Sequence, residues 1–407
     1  MKILLSSILV LLLGSLVLAQ DADKNWFKIY GFAMTDIGYN ANQIHPDWYD
    51  VVRPTKLPTI KNQYGTDGNA YFSVRQTRFG VQSGTKTALG ELFTQFEWEM
   101  FGTGVDAGQT TIRLRHAYGE LGQFGVGQYW SPFMDIDVFP NTVEYWGPNG
   151  MAFFRNVQFR WMPIKGDTRL TFALERPGAS ADAGEYSDRV ELQGVKARFP
   201  VPDLSAEYRS AHDWGYVELA GIVRYMKWED QLVSAGEKDL SGDAIGWGLN
   251  LSSNLKLGKD NVVRLSFLYG AGVQNYMNDA PVDVAIDGTG DDAKGVAIPL
   301  YAAVAFLEHN WSEKFATAIG YSMLNIDNTD GQSYDDFKMG QYAIGNIIYY
   351  PVANVMMVAE LQYGSRENFK DVPENEPQSV KDSYLKTADI LKVQFSFKYN
   401  FSHLINY

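Results

Sequence analysis

Residues 392–407 read KVQFSFKYNFSHLINY. From Val393, every second residue reads Val, Phe, Phe, Tyr, Phe, His, Ile, Tyr, and the interleaved set reads Gln, Ser, Lys, Asn, Ser, Leu, Asn. A period of two is the signature of a β-strand, with successive side chains on opposite faces. Here one face is apolar and aromatic and the other almost wholly polar. A strand of this kind suits a boundary between hydrocarbon and a wet interior.

Similar segments recur along the chain. They are expected near 27–38, 70–83, 91–102, 110–121, 124–130, 156–163, 168–176 and 204–211. A second series follows near 216–228, 244–257, 262–273, 299–311, 315–326, 339–350, 355–365 and 388–407. In the first, FKIYGFAMTDIG, Tyr30, Phe32 and Met34 share a face. In ELFTQFEWEMFG, Phe96, Trp98 and Met100 alternate with Gln95, Glu97 and Glu99. RVELQGVKARF (189–199) also alternates, but assigning it to a loop keeps the strand number even.

The connections alternate in length. Short ones fall near 83–90, 122–123, 164–167, 212–215, 258–261, 312–314 and 351–354. Long polar ones fall near 40–69, 131–155, 177–203, 229–243, 274–298, 327–338 and 366–387, and 103–109 is intermediate. Tight turns at one end and long loops at the other are the layout of a transmembrane antiparallel β-barrel. In hydrocarbon every backbone N–H and C=O must be paired internally, so the sheet must close on itself. The expectation is an all-β barrel of about 16 strands, with periplasmic turns and extracellular loops. A barrel of that size encloses a water-filled lumen.

The beginning of the chain agrees. MKILLSSILVLLLGSLVLAQ has a basic Lys2, an apolar run and small residues before Gln20, the pattern of a secretory signal over 1–19. Residues 20–407 then form one barrel domain. Tyr407 resembles the terminal aromatic read by outer-membrane assembly machinery. The expected location is the outer membrane of a Gram-negative-type bacterium, in contact with lipid and lipopolysaccharide. The chain has no cysteine, which excludes disulfides and thiol chemistry. Its net charge of −13 argues against nucleic-acid binding.

The order of several motifs resembles the general porins: RQTRFGVQSGT (75–85), GELFTQFEWEMFG (90–102) and RLRHAYGELGQFGVGQYWSPF (113–133). DIDVFPNTVEYWGPNGMAFFRNVQFRW (135–161) resembles the DcaP-like trimeric porins. That resemblance implies a sixteen-stranded barrel, uptake of small and often anionic solutes, and a homotrimer. Some members carry an N-terminal helical extension, whereas here a strand begins soon after the signal.

A diffusion channel needs a constriction with a field across it. Segment 131–154 follows the fifth strand and is too long and too apolar for a solvated loop, so it is the candidate constriction loop. Asp135, Asp137 and Glu144 would give it negative charge. On the wall, Arg113 and Arg115 share a face opposite Ile112 and Leu114. That face must be lumenal, because an Arg at mid-bilayer costs about 2–4 kcal/mol when it faces lipid. Arg160 is turned inward by Phe159 and Trp161. Arg75 and Arg78 have opposite parity, so both face inward only across a bulge. A basic ladder of Arg75, Arg78, Arg113, Arg115 and Arg160, joined by Arg155 at the loop's end, would favour anions. Glu97 and Glu99 are the lumenal carboxylates that could pair with it.

The acidic stretches DGTGDD (287–292), TDGQSYDD (329–336) and DVPENE (371–376) lack the ligand spacing of a calcium loop and read as solvated loops. No HExxH, GxSxG, P-loop or dinucleotide-binding pattern is present. Neither catalysis, a metal nor a cofactor is expected. The reading is a passive channel for ions and small hydrophilic, anionic solutes. The alternative is a closed structural or adhesive barrel.

Overall fold

The computed structural model describes residues 25–184, 190–191, 199–231 and 238–407. The expected signal segment lies outside them, and 189–199 lies mostly outside. Within that last stretch, Val190–Glu191 pairs with Glu229–Asp230 at the loop end of the barrel.

Sixteen antiparallel strands close into a barrel, as expected. The first eight are β1 (Trp26–Asn40), β2 (Asn69–Ser73 and Arg78–Thr87), β3 (Gly90–Phe101), β4 (Thr110–Leu121), β5 (Phe124–Trp130), β6 (Arg155–Ile164), β7 (Arg169–Glu175) and β8 (Asp203–His212). The rest are β9 (Gly215–Asp230), β10 (Gly242–Leu257), β11 (Asn261–Ala271), β12 (Pro299–Asn310), β13 (Phe315–Ile326), β14 (Phe337–Tyr349), β15 (Val355–Asn368) and β16 (Thr387–Asn406). Closure is made by β1, which pairs with β2 on one side and with β16 on the other, from Trp26↔Asn406 to Asn40↔Lys392.

Alternation decides what each strand shows to lipid. On β9, Val217, Leu219 and Val223 are exposed outward, while Glu218, Ile222 and Arg224 are buried inward. On β16, Phe395 and Tyr399 face out, and Lys392, Gln394 and Ser396 are buried inside. Aromatics mark both rims, as the interface favours. Trp214 and Trp311 sit at the short-turn end, and Tyr269 and Tyr301, paired across β11 and β12, lie toward the other. The aromatic face of β1 is the exception to outward aromatics. It turns inward, with Tyr30 donating to Glu97 (2.8 Å) and Met34 buried. Asp36, buried on the same face among Gln76, Gln394 and Ser396, fixes that orientation.

Three long loops fold into the lumen. Loop 131–154 carries Phe133, Met134, Val138 and Met151 into an apolar cluster with Leu268, Leu300, Val304 and Leu324 on the inner wall. Loop 41–68 adds Val52 and Leu57, and loop 272–298 adds Tyr276 and Met277. Burying these side chains inside the barrel explains the apolar composition of 131–154: burial contributes roughly 25 cal/mol per Å² of apolar surface.

Candidate functional site

Two irregularities in the wall set the site's geometry. On β2, Ser73 is opposite Asp36 and Arg78 is opposite Phe32, so four steps on β1 face five on β2. The backbone turns at 74–77, and the Thr77 hydroxyl bonds the amide and carbonyl of Met34 in place of the ladder (3.2 and 3.3 Å). The extra residue brings both Arg75 and Arg78 inside. On β4, Glu97 pairs with His116 and Trp98 with Leu114, which leaves Arg115 as the additional residue. Arg113, Arg115 and His116 are therefore all lumenal. His116, whose ring packs against Tyr129 and Trp130, was not anticipated from the sequence, because alternation alone turns it outward.

Glu97 and Glu99 on β3 lie at the centre of the basic group. Arg115 bridges them, with Nε 2.6 Å from Glu97 Oε1 and Nη1 2.5 Å from Glu99 Oε2. Arg113 donates through Nε to Glu99 Oε1 at 3.0 Å. Arg78 reaches Glu99 at 3.4 Å and Glu97 at 3.8 Å, and Arg155 reaches Glu99 at 3.8 Å. Four guanidiniums thus share two carboxylates. The Glu99 side chain is 0% exposed and Glu97 8%; Arg115 is as hidden at 5%, Arg155 is 12% exposed, and Arg78 and Arg113 are the open ones at 25% and 23%. The hydroxyl of Tyr145, on loop 131–154, is bonded to both Arg113 and Glu99 and links the loop to this wall.

These cations line a cavity of about 540 Å³ between the wall and the loop. Arg78, Arg113, Arg115 and Arg155 border it, together with Lys398 of β16. Lys398 lies over the Phe32 ring at 4.0 Å and has no carboxylate partner among the described residues. The sequence reading missed it as a site residue. It sits on the polar face of β16, but its closeness to Arg78 follows only from closure, where Met34 pairs with Lys398 and Phe32 with Arg78.

Two residues of the expected ladder stand apart. Arg75 is fully buried, bound to Asp50 of loop 41–68 at 2.6 and 2.9 Å and packed on Phe101. Arg160 bonds Gln158 and the Trp130 carbonyl and borders a separate space of about 200 Å³ with Tyr129 and Arg169.

The acidic residues of 131–154 also sit differently from the sequence expectation, which faced them toward the basic wall. Asp135 is buried and accepts from Arg209 (2.6 Å), Tyr216 (2.6 Å) and Ser252 (2.7 Å). Glu144 is buried and accepts from the amides of Val52, Trp146 and Gly147 and from the Tyr342 hydroxyl, at 2.6–3.1 Å. Only Asp137 keeps a half-exposed side chain, and Arg209 holds it at 2.5 Å. The physical reason is desolvation: a buried carboxylate needs several donors, and those donors lie on β8–β10, on β14 and in the loops themselves. These carboxylates act as pins that fasten the loop to the far wall. Loop amides complete the attachment: those of Val143 and Glu144 donate to Glu360 at 3.0 and 2.9 Å, and that of Asn141 to Glu308 at 2.6 Å.

A closed barrel with an outward apolar band, aromatic rims and a polar lumen narrowed by infolded loops is a transmembrane channel of the porin type. The chain belongs to the DcaP outer membrane protein family, whose model matches residues 18–378. It resides in the outer membrane as a multi-pass β-barrel. Its fold is similar to that of the outer membrane channel DcaP of Acinetobacter baumannii, at 18% identity and a TM-score of 0.76, over 94% of this chain and 100% of that one. It is also similar to an anion-selective porin from Comamonas acidovorans (10% identity, TM-score 0.58, 93% and 100% covered). The trimer form of OmpT from Vibrio cholerae is a further likeness (12% identity, TM-score 0.55, 93% and 100% covered). At these identities the likeness carries the fold alone. No curated protein matches the sequence.

Proposed function

We propose that the protein is a passive, anion-preferring diffusion channel for ions and small hydrophilic solutes, working without chemistry or energy input. The observation that carries this reading is the asymmetry of the eyelet. Five cations border the cavity, while Glu97 and Glu99, the carboxylate partners of four of them, are buried and not part of its lining. Charges so arranged favour anions at the narrowest point despite the acidic chain as a whole, because exposed loop charges are screened within about 10 Å at 0.1 M salt. In this reading loop 131–154 is the constriction, and Arg78, Arg113, Arg115, Arg155 and Lys398 select the ion. Arg75, Arg160, Asp135 and Glu144 hold the frame. Residues 1–19 serve as the export signal.

The family resemblance supports a homotrimer. The purified protein in a planar bilayer tests the reading. Stepwise conductance is expected, with closures in groups of three. A folded barrel that never conducts would favour the closed structural alternative.

A further inference from the structure

The cavity's lining is chemically divided. The cations come from β2, β4, β6 and β16. The loops and β15 supply Ile136, Phe139, Phe153, Phe154, Met277 and Met356. Of these only Met277 is fully buried; the others are partly open. Glu144 also borders the cavity, but each of its oxygens already accepts two hydrogen bonds. A solute there meets guanidinium and ammonium donors, an apolar surface and a few neutral amides and hydroxyls such as Gln128 and Thr103, with no free carboxylate among the described lining residues.

A small hydrated anion uses only half of such a site. Against the apolar side it loses water and gains nothing. An organic anion with an apolar body uses both halves. Its carboxylate takes charge-assisted bonds from the cations, and its body leaves water against Phe139 and Phe153. A ring can also lie edge-on to those aromatics. The volume is in the range of small-molecule sites. We propose that the eyelet is a binding subsite for monocarboxylates with an apolar or aromatic body, favoured over compact anions of equal charge. The proposal rests on the channel reading above and names the solute class that this site retains.

The test uses the full barrel in a planar bilayer, with chloride current titrated separately by benzoate, cyclohexanecarboxylate and acetate. Benzoate and cyclohexanecarboxylate are expected to half-block the current at concentrations at least about tenfold below acetate, which corresponds to about 1.4 kcal/mol. Phe153→Ala should bring benzoate toward acetate, whereas Lys398→Gln should weaken block by all three. Equal potency of the three anions in a conducting, anion-selective wild-type channel would overturn the subsite and leave the channel reading standing. Absence of chloride current would overturn the channel reading itself.

Discussion

The two sides of the lumen use the same side chains to opposite ends. Along β2–β4 and β6, four arginines share two carboxylates and border the cavity, with Arg78 and Arg113 the most open. Along β8–β11 the balance reverses. Arg209 lies among Asp135, Asp137 and Glu218, and fully buried Arg224 bridges Asp203 (3.0 Å) and Asp283 (2.8 Å). Loop 131–154 makes the difference. It lies against the second wall, takes Arg209 as an anchor, and leaves the first wall's cations to the cavity, while Asp203 of β8 and Asp283 of loop 272–298 hold Arg224. The position of the loop, more than the number of arginines, decides which of them meet a passing ion.

The strongest way to break this contrast is to unpin the loop. Arg209→Ala leaves Asp135 buried without its cation and Glu218 with Arg169 alone, a loss on the order of 3–5 kcal/mol. The midpoint of denaturant unfolding should fall, and the open channel should become noisier. A variant as stable as wild type, with a quiet channel, would show that Arg209 is no anchor.

A smaller effect is expected on the cavity wall. Arg113→Ala with Arg115→Ala removes two of the cations that surround Glu99. The barrel should still assemble, shown by its heat-modifiable mobility on a gel, and the chloride-to-potassium permeability ratio should fall. An unchanged ratio would remove these residues from the selectivity filter.

The smallest effect lies in the loops. Burial and neighbouring Asp182 push Asp336 of loop 327–336 up to about 7 from the usual 3.8. The folded state therefore keeps a proton that the unfolded chain has lost. The stability contributed by that proton falls as pH rises between about 4 and 7. Protease cleavage in this loop should accelerate over that range, and Asp336→Asn should flatten the dependence. A flat profile in the wild-type protein would show that Asp182 and burial do not hold a proton on Asp336.

The barrel was legible because lipid imposes a period of two on each strand, and polar loops interrupt it. In KVQFSFKYNFSHLINY the alternation assigned Gln394 and Ser396 to the interior correctly. Alternation failed where a strand carries an extra residue. It could not place His116 beside Arg115 on one face, and it could only state the condition under which Arg75 would join Arg78. It was also silent within 131–154, which has no period. Asp135 and Glu144 are acidic residues in a loop facing arginines, a pattern equally suited to a charged constriction and to an anchor. Their donors Arg209 and Tyr342 are 74 and 198 residues away in sequence, and only closure of the barrel brings them together. Lys398 was hidden for the same reason, since its level relative to Arg78 depends on how the last strand meets the first.

The decisive experiment is the zero-current potential across a steep KCl gradient, recorded for the wild-type protein and for Lys398→Gln combined with Arg78→Gln. A wild-type potential of the sign that favours chloride, moving toward zero in the double variant, is the expected outcome. A wild-type channel favouring potassium, or a double variant with undiminished chloride preference, would mean that the exposed cations of the eyelet do not choose the ion.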